Sequence, residues 1–201
     1  LNKISMAPFS TYMKVGDHYL ISASPERFIC KTGNKLLSQP MKGTRKRSLN
    51  DILDKQLKEE LKLSEKEKSE NVMIVDLVRN DLSKVAIQNS VKVDELFGVY
   101  SFKQVHQMIS SVSCELRPST TFEDIIRATF PMGSMTGAPK VSAMELIEKF
   151  EVTKRGLYSG CVGYIEPNGN FDFSVIIRSI LYNAKNQYIS LSVGGAITAN
   201  S

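Results

Sequence analysis

Short turns between extended segments constrain the fold of this chain more than any other feature. Gly33 and Asn34 separate two short extended segments, 27–30 and 35–39, which is the pattern of a β-hairpin. A four-residue polar turn at 167–170 separates two further extended segments. Strands joined by turns this short pair antiparallel. We therefore expect antiparallel sheets rather than a parallel, helix-crossed sheet.

Helical periodicity interrupts the strands in the middle of the chain. Leucine and isoleucine recur at helical spacing between 49 and 61, and Ser48 or Asn50 can cap the start. The apolar run 72–78 is ambiguous, because its β-branched residues favour a strand while the preceding helical pattern can continue through it. Helices and antiparallel strands in separate blocks predict the α+β class.

Later segments add two helices and several strands. One helix is predicted over about 122–128, and another begins at Pro139, a favoured first helical residue. The second helix is expected to turn a set of apolar side chains inward, namely Ala143, Leu146, Ile147 and Phe150. Residues 1–39 read as strands, and further strands are predicted at 104–116, 160–165, 171–182 and 187–196.

Composition narrows the class of protein. The chain has 201 residues, 42% of them hydrophobic and 23% charged, as in soluble globular proteins. No apolar run approaches the roughly 20 residues of a membrane-spanning helix, so we expect no membrane partner. The net charge is +5, but acidic residues are interleaved with the basic ones between 42 and 70. This interleaving argues against binding of nucleic acid, and a mild positive charge suits a small anionic substrate.

Three cysteines, Cys30, Cys114 and Cys161, are odd in number and widely spaced. That pattern favours free thiols in a reducing cytoplasm over a disulfide framework or a zinc site. The chain begins with Leu1 rather than with Met or a signal-peptide pattern. We therefore expect a cytoplasmic protein of which this sequence is one piece.

The stretch 24–45 contains the first candidate site. A hairpin can bring Glu26 and Lys42 together although 16 positions separate them. An acid beside a potential amine nucleophile is the beginning of an active site. Two surface charges on an ordinary hairpin explain the same residues, and on these residues alone that alternative is preferred.

A second candidate is the glycine-rich stretch 130–140. Gly133 and Gly137 allow close backbone approach, and the stretch leads into the helix start at Pro139, where free N–H groups suit a carboxylate or phosphate. A simple glycine-rich connection with a Ser or Thr cap is an equally good explanation.

Single residues complete the candidates. Glu70 is either a helix-face charge or an oxygen ligand for Mg²⁺, and Arg178, inside an apolar run, must find an anion. Tyr158 stands at a strand entrance and is either a packing residue or part of a site. Gly194 and Gly195 suggest backbone kept bare for a ligand.

Taken together, the motifs resemble a known family. S-P-E-R-F, P-M-K-G-T, E-N-V-M-I-V-D-L-V-R-N-D-L, F-P-M-G-S-M-T-G-A-P-K, R-G-L-Y-S-G-C-V-G-Y, I-R-S and G-G-A-I-T-A-N-S follow one another in this order. The chain resembles the chorismate-utilising enzymes, from about Ala7 to Ser201. The resemblance implies an α+β sandwich of two antiparallel β-sheets flanked by helices, with 70–82 helical. It also implies that 1–201 is a chorismate-binding catalytic domain, incomplete at both ends.

Lys42 indicates which branch of that family the chain resembles. The sequence P-M-K-G-T at 40–44 is similar to the P-I-K-G-T of aminodeoxychorismate synthases, whereas anthranilate synthases have alanine at the lysine position. The resemblance then implies that Lys42 attacks C2 of chorismate while Glu26 protonates the departing C4 hydroxyl. Ammonia from a glutamine amidotransferase subunit would enter at C4, on the route to para-aminobenzoate and folate.

The resemblance assigns binding roles too. It implies that Glu70 holds Mg²⁺ against the ring carboxylate, and that Tyr158, Arg178 and the backbone of Gly194 and Gly195 hold the enolpyruvyl carboxylate. Ser134 is expected to line the same pocket, and Gly43 and Thr44 to contact the substrate. Further acidic Mg²⁺ ligands are expected beyond Ser201, so this fragment by itself is expected to bind metal poorly.

One departure from the family pattern bears on the choice of reaction. Gln107 stands where the family has a histidine, and His106 lies one residue early, on the opposite face of a strand. In anthranilate synthases that histidine is tied to pyruvate elimination, a step that aminodeoxychorismate synthases leave to a separate lyase. Two alternatives stay open, an anthranilate synthase component I and a non-catalytic module that binds chorismate or an amidotransferase.

Overall fold

Two antiparallel β-sheets form the computed structural model of the chain, which describes residues 2–197. The strands are β1 (Phe9–Val15), β2 (His18–Ser24), β3 (Arg27–Thr32), β4 (Lys35–Ser38), β5 (Met41–Lys46), β6 (Lys92–Ser101), β7 (Val105–Glu115), β8 (Cys161–Ile165), β9 (Phe171–Val175), β10 (Ser179–Asn183) and β11 (Tyr188–Leu191). The helices are α1 (Asn2–Ser5), α2 (Asp51–Leu63), α3 (Glu65–Ser83), α4 (Phe122–Thr129) and α5 (Lys140–Phe150), with one 3₁₀ turn at Gly133–Met135. The α+β class is confirmed.

The smaller sheet has the strand order β1-β2-β10-β11. In the larger sheet β7 is the organising strand, because it pairs with β6 on one side and with both β5 and β4 on the other. The order continues from β4 through β3 and β9 to β8. Every pairing is antiparallel, as the short turns predict.

The core lies between the larger sheet and helices α3 and α4. Leu36 and Val112 from the sheet are fully buried, and Ile74 and Leu82 from α3 pack into the same cluster with Ile125 from α4. Burial of apolar side chains of this size stabilises the fold by roughly 1.5–3 kcal/mol each. This cluster fixes α3 across the sheet next to β5 and β7, the two strands that carry Lys42 and Gln107.

Several sequence predictions are confirmed. The hairpin at Gly33 and Asn34 joins β3 to β4, Asn50 caps α2 through its side chain, and the run 72–78 lies inside α3. The helix predicted over 122–128 is α4, which Thr121 begins with a capping box. These elements were predictable because local patterns and tertiary packing favour the same structure.

Three predictions are wrong in detail. The segment 171–182 is not one strand, since β9 belongs to the larger sheet and β10 to the smaller one. No residue of α5 is buried, and Leu146 and Phe150 are exposed although an inward direction was expected. The segment 1–39 also contains the short helix α1 before the strands. Helical periodicity identifies an amphipathic helix, but it does not say which surface covers the apolar face.

Between residues 2 and 197 no helix is both long and apolar enough to cross a membrane. Cys30, Cys114 and Cys161 are all free thiols, as the odd number and spacing predict.

Candidate functional site

Glu26 lies at the tight corner between β2 and β3 and is only 5% exposed. Pro25 fixes the corner, and the Glu26 backbone N–H donates to the Ser24 hydroxyl over 3.3 Å. Burial raises the pKa of the Glu26 carboxyl to about 7, against the lowering effects of a hydrogen bond with Ser134 and of nearby positive charges. The carboxyl can therefore be protonated at neutral pH, as a general acid must be.

Lys42 sits in an irregularity of β5. The register between β5 and β7 shifts between Met41 and Thr44, so that Lys42 and Gly43 stand opposite a single residue of β7, as in a β-bulge. The Lys42 side chain is half-buried, and its charge is among the causes that lower the pKa of Glu26. The structure thus brings this amine and this carboxyl together, as predicted from the hairpin.

Arg178 occupies the break between β9 and β10. Its φ of +51° turns the chain from the larger sheet into the smaller one, and its carbonyl accepts a hydrogen bond from Ala23 N–H over 3.2 Å. The side chain is exposed rather than enclosed in a strand, and no ion pair among residues 2–197 involves it. Its charge still acts on Glu26, so a guanidinium free to bind an anion lies near the carboxyl.

Ser134 reaches Glu26 from the 3₁₀ turn at Gly133–Met135. Both residues border a small cavity, of about 20 Å³ as measured with a water-sized sphere. Its other walls come from β3, α3 and α4 and include the buried carboxylate of Asp81 and the side chain of Thr129. Lys42, Tyr158 and Arg178 do not line this cavity, so it lies to one side of the place where the charged groups meet.

Tyr158 and Gly194 form a second part of the site. A Cβ at Gly194 would lie 2.8 Å from the Tyr158 hydroxyl, so the bare backbone is what admits the phenol. At Gly195 an added Cβ would meet nothing within 4 Å, and that backbone is open to a ligand. Tyr158 and Gly194 are therefore in contact between the end of β11 and the entrance to β8, and a role of these residues and Gly195 in binding a carboxylate stays a prediction.

Gly43 and Thr44 are held by a residue to which sequence reasoning gave no structural role. The Gln107 side chain donates to the Gly43 carbonyl over 2.9 Å and accepts from the Thr44 hydroxyl over 3.1 Å. Gln107 is 5% exposed. His106 faces away from it and instead contacts Asp54 and Ser101, in agreement with the alternation of faces along a strand.

Glu70 lies on α3, is half-buried and has no ion-pair partner within the described residues. One turn earlier on that helix, Glu67 was not singled out from the sequence. Its Oε2 would lie 3.1 Å from a Cβ at Gly43, so α3 presents a carboxylate directly at the Lys42–Thr44 segment. The spacing of three residues, which places Glu67 and Glu70 on one helix face, was the available signal.

Mg²⁺ is held in proteins by one or two carboxylates together with substrate oxygens and water. Glu67 lies at the Lys42–Thr44 segment, and Glu70 follows it by one turn of α3; carboxylates of this kind fit the chemistry of that ion. Across residues 2–197 no group of three or more His, Cys, Asp and Glu side chains is arranged to hold a metal. The described residues therefore show no complete metal site, and binding of Mg²⁺ at α3 stays a prediction.

At the start of α5, where an anion site was one interpretation of the sequence, the structure has an ion pair between two side chains of the protein. Pro139 is the N-cap rather than the first helical residue, and it offers no side-chain hydrogen bond. Lys140, the first residue of the helix, pairs with the buried carboxylate of Asp81 and donates to the Thr129 carbonyl. This cation ties the start of α5 to α3, so the stretch 130–140 contributes Ser134 to the site while its lysine is structural.

The chain is similar to known proteins along its whole length. Residues 1–201 match the family described as chorismate binding enzyme. The chain is 42% identical over 201 residues to aminodeoxychorismate synthase component 1 of Salmonella typhimurium, and 40% identical over 201 residues to anthranilate synthase component 1 of Bacillus subtilis. These alignments cover all of this chain but 44% and 39% of the two relatives.

Among solved structures, anthranilate synthase component I from Streptococcus pneumoniae superposes with a TM-score of 0.81 at 32% sequence identity. The superposition covers 90% of this chain and 40% of that one. The chain thus spans less than half the length of the relatives it matches. Since the family match extends over every residue of the sequence, the chain belongs to the chorismate binding enzyme family.

Proposed function

We propose that the protein aminates chorismate at C4 to give 4-amino-4-deoxychorismate. The observation that carries the proposal is the approach of Lys42 to a buried Glu26 whose pKa is raised to about 7. Relatives named aminodeoxychorismate synthase component 1, at about 40% identity, support it. An amine and a protonated carboxyl in one place are what this substitution needs.

In the proposed mechanism, the neutral Lys42 amine attacks C2 of the ring. The ring double bonds shift as the C4–O bond breaks, and the Glu26 carboxyl gives its proton to the departing hydroxyl, which leaves as water. Ammonia then attacks C4, the double bonds shift back and the C2–N bond to Lys42 breaks. Hydroxide is a poor leaving group, so a positioned acid contributes on the order of 10²–10⁴ in rate.

Binding of the substrate is assigned to the surrounding groups. Arg178, which pairs with no anion between residues 2 and 197, is proposed to bind a carboxylate, and Tyr158 with the backbone of Gly194 and Gly195 completes the proposed enolpyruvyl site. Ser134, Gly43 and Thr44 line the ring pocket in this proposal. Glu70 and Glu67 would hold Mg²⁺, whose charge neutralises the ring carboxylate.

The source of ammonia is proposed to be a glutamine amidotransferase subunit. The relatives' designation as component 1 favours a second component. The product would feed para-aminobenzoate and folate biosynthesis. Formation of anthranilate is the second candidate, because the anthranilate synthase component 1 of B. subtilis is 40% identical to the chain.

Product analysis tests the proposal. The complete protein, supplied with chorismate, Mg²⁺ and ammonium, is expected to form 4-amino-4-deoxychorismate without pyruvate, as followed by mass spectrometry. Without ammonium, an adduct is expected on Lys42 and is absent in Lys42→Met. Fluorescent anthranilate released with pyruvate would establish the second candidate instead, and binding of chorismate without turnover would point to a non-catalytic module.

A further inference from the structure

We propose that Gln107 is a positioning residue for Lys42, because its side-chain amide holds the backbone bulge from which the Lys42 amine approaches Glu26. The inference rests on the function proposed above. It gives a role in the reaction to a residue on β7, the strand that pairs directly with the Lys42 strand, β5.

The bulge leaves backbone groups that the sheet alone cannot pair. Where two residues of β5 stand opposite one of β7, the extra residue loses its ladder hydrogen bond. The Gln107 amide supplies a replacement, since it donates to the Gly43 carbonyl over 2.9 Å and accepts from the Thr44 hydroxyl over 3.1 Å. One side chain thus fixes both residues that follow Lys42.

The opposite side of the bulge is closed by helices. Gly43 has φ +89°, a conformation that side chains rarely adopt, and a Cβ there would lie 3.1 Å from both Leu61 and Glu67. The segment is therefore confined between α2 and α3 on one side and Gln107 on the other. Of these restraints, the Gln107 amide acts through hydrogen bonds to the Gly43 carbonyl and the Thr44 hydroxyl. Its loss removes both of those hydrogen bonds.

The Gln107 side chain is buried, so it acts inside the fold rather than at the solvent-exposed surface. Gln107 is 5% exposed, and its amide oxygen and nitrogen are both engaged. A side-chain amide does not titrate, and both polar atoms of this one are already hydrogen-bonded. We therefore expect it to hold the backbone of the bulge in place rather than to transfer a proton. A misplacement of about 1 Å of a reacting group can cost on the order of 10² in rate, so the effect is expected in turnover rather than in substrate binding.

The chain offers a matched control. Gln39 is a half-buried amide between β4 and β5 that accepts from Arg27 over 2.6 Å and donates to Ser111 over 3.0 Å. Gln39→Met therefore removes one accepted and one donated hydrogen bond, as Gln107→Met does. Neither of those hydrogen bonds involves Gly43 or Thr44.

The experiment compares the two variants in the complete protein. For Gln107→Met we expect kcat and the rate of adduct formation on Lys42 to fall about 10- to 100-fold, with KM for chorismate within about threefold. Amide hydrogen exchange of a peptide spanning 41–46 is expected to accelerate. Gln39→Met should leave the kinetics and the exchange of that peptide close to those of the unchanged protein.

Three results would overturn the proposal. They are unchanged exchange at 41–46, an unchanged adduct rate, and a raised KM with kcat intact, which would make Gln107 a substrate contact. If the unchanged protein forms no adduct at all, the proposed function fails. Hydrogen exchange then still decides whether Gln107 holds the segment.

Discussion

Gly194 faces Tyr158 so closely that a Cβ at position 194 would lie 2.8 Å from the phenol oxygen, while the next ring atom is 3.9 Å away. The contact joins the end of β11 to the turn before β8. A Cβ does not tolerate 2.8 Å, so Gly194→Ala must displace the hydroxyl or the glycine backbone. Either movement disturbs the surface proposed to bind the enolpyruvyl carboxylate.

Gly194→Ala is therefore expected to raise KM for chorismate about 5- to 20-fold, which corresponds to about 1–2 kcal/mol of lost binding. Tyr158→Phe removes the offending oxygen and leaves the ring at ordinary contact distance. In the Tyr158→Phe background, Gly194→Ala should therefore cost little more. Additive effects of the two changes, measured by steady-state kinetics in a double-mutant cycle, would contradict the steric explanation.

The protonation state of Glu26 sets the expected pH dependence of the rate. Its pKa is raised to about 7 by burial, and the proposed mechanism uses the protonated form. Because the neutral form of Lys42 is required as well, the adduct rate is compared with that of Glu26→Gln, whose amide does not titrate. The ratio of the unchanged protein's rate to the variant's should be constant below pH 7 and fall about tenfold per pH unit well above it. A ratio that stays constant through pH 8 and 9 would exclude Glu26 as the proton donor.

The same carboxyl makes the fold sensitive to pH. Its pKa is raised in the folded state from 4.5 to about 7, so the folded state holds this proton more tightly than the unfolded state does. Stability from this group is present below about pH 4.5 and is lost as pH rises through 7. Glu26→Gln removes the charged form, and it should raise the free energy of unfolding by about 1–3 kcal/mol more at pH 8.5 than at pH 4.5. Urea unfolding at the two pH values measures it, and an equal change at both would contradict the raised pKa.

How much of this site was predictable depends on the range of the interactions. The approach of Glu26 to Lys42 followed from a local hairpin, since Gly33 and Asn34 specify the turn and the turn sets the pairing. The capping of α2 by Asn50 was local in the same way. In both cases the residues that decide the structure are close together in the sequence.

Non-local contacts explain the failures. The break at Arg178 depends on β10 pairing with β2, more than 150 residues earlier, and apolar residues on both sides of it gave no sign of a change of sheet. The outward faces of Leu146 and Phe150 on α5 likewise follow from packing that periodicity does not encode. The hydrogen bond that Gln107 donates to the Gly43 carbonyl requires the bulge in β5. No sequence motif in β5 or β7 predicts that bulge.

Backbone strain at Arg178 leads to a further prediction. A φ of +51° is unfavourable for a non-glycine residue, at a cost of about 1–2 kcal/mol. Arg178→Gly should therefore leave the free energy of unfolding unchanged or raise it by up to about 1 kcal/mol. Loss of the guanidinium should at the same time raise KM for chorismate at least tenfold, as expected when a charge-assisted hydrogen bond worth about 1.5–3 kcal/mol is removed.

Arg178→Ala is the matched variant, because it loses the same charge but keeps the strain. Chemical denaturation should place it below Arg178→Gly in stability, with an equal effect on KM. If Arg178→Gly is the less stable of the two, the backbone at this position is not strained.

The carboxylates on α3 give the last prediction. Glu70 has no ion-pair partner among the described residues, and Glu67 pairs with Arg45 at 3.6 Å while facing Gly43. If these two groups hold Mg²⁺, Glu70→Gln should raise the Mg²⁺ concentration for half-maximal activity at least tenfold, because a neutral amide is a weaker ligand for a hard cation. Glu65→Gln is the control, since Glu65 lies on the same helix, is exposed and, within residues 2–197, has Lys68 as its one ion-pair partner. Calorimetric titration of the complete protein with Mg²⁺ in the presence of chorismate provides a readout independent of turnover. Equal Mg²⁺ affinity in the Glu70 and Glu65 variants would remove α3 from the metal site.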